Sequence, residues 1–121
     1  MNNKKWRESA ELFKSAIKRW QKEPQDAVLF AALCKTFEIS FEYTWKAFKA
    51  EADLAGYEVY NPRDALKAAA QMKLILDLEL WTRFLNVRNL SVHDYLGAIE
   101  DDMRTTALEF ERELDRLITV L

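Results

Sequence analysis

Apolar positions recur at spacings of three and four along most of the chain, the period of an α-helix with one buried face. From Lys4 to Lys22, Trp6, Ala10, Phe13, Ile17 and Trp20 form one such stripe. Pro24 closes this first helix, because proline has no backbone donor and biases the residue before it toward extended geometry. The second and longest segment runs from Asp26 to Leu54, with Phe30, Leu33, Cys34, Phe37, Phe41, Trp45, Phe48 and Ala52 on its stripe. Its bulky Phe41–Trp45–Phe48 ridge suits a helix sandwiched between others. Gly56 lies just past its end, where a left-handed cap is wanted, and Tyr57 to Tyr60 reads as an extended loop.

Asn61-Pro62 predicts a helix start, with Asn as cap and Pro in the first helical position. The short Ala-rich helix that follows spans Pro62 to Met72, and Met72 to Asp77 reads as an apolar loop or helix end. A fourth helix from Leu78 to Leu90 carries Trp81, Phe84 and Leu85. Gly97 marks a break. The last helix, Ala98 to Val120, aligns Ile99, Met103, Ala107, Phe110, Leu114, Leu117 and Leu121. The predicted fold class is all-α: an up-and-down antiparallel helical bundle of four to five helices, one domain over residues 1–121. The aromatic load also suits a helix-mediated dimer.

Composition narrows the function. Two Gly and two Pro among 121 residues disfavour an all-β fold and any nucleotide site built on clustered glycines. All four fall at predicted helix boundaries. One cysteine, Cys34, excludes an intramolecular disulfide and a zinc site built from several thiolates. The polar start and the absence of a long apolar run predict no signal peptide and no membrane span, hence a cytoplasmic protein. A net charge of −2 does not suggest a non-specific nucleic-acid binder. The charge is polarised, however. Residues 1–23 hold seven Lys/Arg and three Glu, whereas residues 99–121 hold three Arg and seven Asp/Glu. The first and last helices are thus expected to attract each other as antiparallel neighbours, or else to present two solvated faces.

Familiar catalytic patterns are absent, including phosphate loops, His-Glu-x-x-His and Cys-x-x-Cys. Glu38 and Glu42 lie one turn apart but have no Glu-x-x-His partner, so no di-metal site is expected. The segment Arg88-Asn89-Leu90-Ser91-Val92-His93-Asp94-Tyr95 stands out, because it gathers Arg, Asn, Ser, the one His and a Tyr. On a regular helix Arg88 and His93 diverge by about 140°, while Asn89 shares a face with His93 and Arg88 shares one with Tyr95. Convergence of Arg88 and His93 therefore requires the helix to unwind before His93, or a second copy of the segment from a dimer. On residue types alone, a lone His capping a carbonyl and an Arg in an ion pair with a nearby Asp or Glu is the favoured reading of the segment.

The run Arg88-Asn89-(x3)-His93-x-Tyr95 resembles the signature of the HEPN superfamily. Phe37-Glu38-(x2)-Phe41-Glu42-(x2)-Trp45-Lys46 is similar to the second helix of one HEPN branch, the nucleotidyltransferase substrate-binding proteins, which are small helical partners of minimal nucleotidyltransferases. Asn61-Pro62-Arg63 with its Ala-rich helix, and Trp81 in the fourth helix, resemble the same branch. The matches keep their order over residues 30–95.

The resemblance implies a homodimer with the Arg/His motifs near its interface and, by analogy with HEPN toxins of toxin–antitoxin pairs, a metal-independent endoribonuclease without cofactors. Arg88, His93 and Asn89 would then be catalytic. His suits proton transfer near neutrality, and a dimer would supply the second imidazole. Arg88 would hold the phosphate with its planar fork of donors, and Asn89 would orient the imidazole or the phosphate. The partner implied is a minimal nucleotidyltransferase acting as antitoxin by AMP transfer to Tyr95, with RNA as the substrate of the HEPN protein itself. AMP on Tyr95 would place bulk and negative charge against Arg88. The alternative that the same branch implies is a non-catalytic substrate-binding subunit of a two-component nucleotidyltransferase.

Overall fold

The computed structural model describes residues 3–91 and 100–121. These form five helices: α1 (Lys4–Lys22), α2 (Ala27–Leu54), α3 (Pro62–Gln71), α4 (Leu78–Ser91) and α5 (Glu100–Ile118). No strand occurs among the described residues. The all-helical bundle read from the periodicity is therefore the fold, with boundaries moved by a residue or two. The predicted break at Gly97 and the buried position expected of Ile99 lie outside the described residues.

Local chemistry sets most of the helix ends. Asp26 is the cap of α2 rather than its first residue, and its side chain accepts from the backbone N–H groups of Val28 at 2.8 Å and Leu29 at 3.2 Å. Asn61 caps α3 by accepting the Asp64 N–H at 2.8 Å, with Pro62 at the first helical position. At the end of α2, Gly56 takes φ +87°. There the Tyr57 N–H donates to the Ala52 carbonyl at 2.9 Å and the Gly56 N–H to that of Asp53 at 3.2 Å, so two otherwise unpaired carbonyls are satisfied.

The end of α3 repeats this motif without a glycine. Lys73 takes φ +62°, with the Leu74 N–H donating to the Ala69 carbonyl at 2.9 Å and the Lys73 N–H to that of Ala70 at 3.1 Å. A lysine in the left-handed region costs roughly 1 kcal/mol relative to glycine. Ile75, only 2% exposed, anchors the chain just beyond it.

Four of the helices run antiparallel to their neighbours, with α3 inserted between α2 and α4. The Trp6 indole N–H donates to Thr44 Oγ at 2.8 Å and so joins the start of α1 to the second half of α2. Trp81 packs on Phe48 while Arg88 meets Glu42, which sets α4 antiparallel to α2. Arg83–Glu109 and Trp81–Glu113 set α5 antiparallel to α4. The oppositely charged terminal helices are neighbours as expected: Lys14 on α1 pairs with Asp115 on α5. Opposite them at the other end of this helix pair, the Arg104 guanidinium lies over the Trp20 ring at 5.2 Å.

The core is a cluster of rings centred on Phe110. Its ring centroid lies 5.1 Å from Phe37, 5.3 Å from Phe84, 5.5 Å from Phe13 and 5.7 Å from Trp81. Several of these contacts are edge-on, the arrangement favoured by the ring quadrupole. The stripes of α1, α2 and α4 are buried as predicted, with one exception. Trp45, placed on the α2 stripe by spacing, is only half-buried, and its indole N–H donates to Glu42 Oε2 at 3.0 Å. Its ring still packs against the core, at the margin of the α2 stripe.

Candidate functional site in the groove between α2 and α4

Arg88 lies seven residues after Trp81 and four after Phe84, in phase with the buried stripe of α4. A guanidinium at that register is drawn toward α2, and its side chain keeps only 26% of its exposure. There Nη2 donates to Glu42 Oε2 at 2.6 Å, while Nη1 donates to Asn89 Oδ1 at 3.0 Å. Glu42 is further held by the Trp45 indole and by Lys46 Nζ at 3.6 Å. Burial pushes the Glu42 carboxyl up. The Trp45 hydrogen bond, the charges of Arg88 and Lys46 and the Arg88 hydrogen bond outweigh it and hold the carboxyl below its usual range.

Beside this pair a groove of about 500 Å³ is lined by Lys35, Glu38, Ile39, Glu42, Tyr43, Lys46 and Arg88. The volume suits a small organic ligand. Glu38 also carries an Oε2 that is sealed from water and, among the described residues, accepts no hydrogen bond. The groove thus offers cations at Lys35, Lys46 and Arg88 and acceptors at Glu38 and Glu42, over an apolar patch from Ile39 and the Tyr43 ring.

Of the sequence-predicted site residues, Arg88 and Asn89 adjoin each other at the end of α4, which stays helical through Ser91. His93 and Tyr95 lie outside the described residues. Sequence reasoning missed Lys35, Ile39, Tyr43 and Lys46 as groove residues and weighed the chemistry of Glu42 as a metal ligand. The available signal was the register of Arg88. A charged residue in phase with Trp81 and Phe84 needs a partner on the facing helix, and Glu42 follows Phe41 directly. Among the described residues no group of three or more His, Cys, Asp or Glu is placed to hold a metal ion. No helix among them is long and apolar enough to cross a membrane.

The described helices form a bundle with a ligand-sized polar groove between α2 and α4. The chain belongs to the family described as "Nucleotidyltransferase substrate binding protein like", whose model matches residues 1–121. This is the branch that Phe37–Lys46, Asn61–Arg63, Trp81 and the Arg88 segment resemble. No curated protein matches the chain.

Proposed function

We propose that this protein is the substrate-binding subunit of a two-component nucleotidyltransferase, a single cytoplasmic domain that holds the acceptor substrate for a separate catalytic partner. The family match over residues 1–121 carries this reading. The groove between α2 and α4 supports it, since a small polar acceptor needs both donors and acceptors, and Arg88, Lys35, Lys46, Glu38 and Glu42 supply them. The Glu38 carboxylate, which lines the groove, would take a hydroxyl or ammonium of the substrate. The test is co-expression with a minimal nucleotidyltransferase from the same genome. A stable complex by light scattering is expected, together with acceptor turnover that falls at least tenfold in Glu38→Gln. Absence of a complex overturns the reading.

A second reading is a metal-independent endoribonuclease toxin with Arg88, Asn89 and His93 at a homodimer cleft, controlled by AMP transfer to Tyr95. The observation in its favour is the contact between Arg88 and Asn89 at the end of α4. Against it, Glu42 already neutralises Arg88, which weakens Arg88 as a phosphate clamp in that state.

A further inference from the structure

The groove between α2 and α4 adjoins a second cleft. Tyr43 and Lys46 line both. The second cleft, of about 420 Å³, is completed by Ala47 of α2 and by Lys4, Lys5 and Trp6 at the start of α1. The Trp6 indole bond to Thr44 Oγ, at 2.8 Å, fixes the start of α1 beside this part of α2. Trp6 and Ala47 are buried and give the cleft an apolar wall. Tyr43, shared by both clefts, is 37% exposed.

The charge of this cleft runs against that of the chain. The whole sequence carries a net charge of −2, yet the residues lining the cleft include three lysines and no carboxylate side chain. Lys4 and Lys46 each have a carboxylate nearby, Glu8 at 4.0 Å and Glu42 at 3.6 Å, and both remain more than half exposed. The exposed side chain of Lys5 makes no ion pair or hydrogen bond among the described residues. No acidic residue stands in the first turn of α1 to offset these cations. The cleft at the start of α3, which touches the groove through Arg88, differs, because it sets Asp64 beside Arg63.

We propose that the catalytic nucleotidyltransferase docks at this lysine cleft through an acidic surface, with Tyr43 as the aromatic anchor. This builds on the two-component function proposed above. The acceptor atom must come within about 3.5 Å of the partner's reacting centre, so the partner must border the groove that holds the acceptor. The lysine cleft borders it directly, through Tyr43 and Lys46. A cationic rim around an aromatic ring steers and orients an acidic protein surface. A nucleic-acid strand draws on a longer run of cations than three lysines, and the net charge of the chain opposes it.

The experiment measures association of the full chain with a minimal nucleotidyltransferase from the same genome, by surface plasmon resonance at low and high salt. Changing Lys4→Glu and Lys5→Glu together should slow association at least about tenfold at low salt, and the gap should narrow at high salt. Lys5→Gln, which only removes a charge, should slow it less and in the same direction. Lys67→Glu makes the same reversal at an exposed position of α3, which does not pack against α1, and should leave the rate unchanged. Amide NMR should show partner-induced shifts at Lys4, Lys5, Tyr43 and Ala47. Acids in the first turn of a helix favour it, so the double variant keeps its fold, which a melting curve verifies. A complex that forms as fast with the double variant as with wild type overturns the docking site and leaves the two-component function standing. No complex with wild type overturns both. Saturable binding of a short single-stranded RNA that the double variant loses assigns the cleft to nucleic acid and also overturns the proposal.

Discussion

Glu42 on α2 and Arg88 on α4 meet at 2.6 Å, with the Trp45 indole donating to the same carboxylate oxygen. This contact ties the two walls of the groove together and fixes the head of Arg88 at its edge. Because the folded-state pKa of Glu42 is depressed, its contribution is present above the ordinary carboxylate pKa and is lost as pH falls through the folded value. Glu42→Gln is expected to lower stability by about 1 kcal/mol at neutral pH, the scale of a partly exposed ion pair. The gap from wild type should close in acid, below about pH 4. Thermal melts of both proteins from pH 3 to pH 8 measure this.

Trp81 is fully buried against Phe41, Phe48, Phe84 and Phe110, and its indole N–H donates to Glu113 at 2.8 Å. Trp81→Ala is expected to cost about 3–5 kcal/mol by urea denaturation. Trp81→Phe should cost less, since it keeps much of the ring volume and loses mainly one hydrogen bond. An alanine variant as stable as wild type would contradict the ring-cluster account of the core.

Cys34 is fully buried on α2, and burial, with a smaller contribution from the Glu38 charge, pushes its thiol up to about 12. Thiolate is the reactive form. A disulfide reagent at pH 8 should therefore leave the folded protein unmodified over hours and label it within minutes in urea. Rapid labelling of the native state would show that α2 opens locally.

The two functional readings separate in cells. As a substrate-binding subunit, the protein expressed alone should leave bacterial growth unchanged. Growth arrest relieved by His93→Ala and by Arg88→Ala would move the balance to the ribonuclease reading. In that case incubation with the partner and ATP should add about 329 Da, the mass of one AMP adduct, and Tyr95→Phe should abolish the addition.

The fold was legible because the information lay in repeated, local signals. Trp6 to Trp20 and Phe30 to Ala52 carry the helical period in large side chains, Pro24 marks the first break, and Gly56 and Asn61-Pro62 mark the two ends of the second. The end of α3 was less legible, since Lys73 takes a conformation usually marked by Gly or Asn, and the turn is imposed by burial of Ile75. The site was half legible. Arg88 and Asn89 were found as a cluster of chemically unusual residues. The partner of Arg88 was not, because Glu42 lies 46 positions away and pairing between helices leaves no periodic trace. For Trp45, spacing gave the direction of the ring, which packs against the core, but not the hydrogen bond of its N–H to Glu42.

The central place of Phe110 has a consequence for synthesis. Its ring is the common neighbour of Phe13, Phe37, Phe41, Trp81 and Phe84. A ribosome releases those five rings well before α5 follows. Until then the nascent bundle presents an open aromatic socket to water, and the final helix closes it in one step. Truncations that end before Phe110 should accordingly be bound by holdase chaperones, whereas the same chain extended through Leu117 should let go of them.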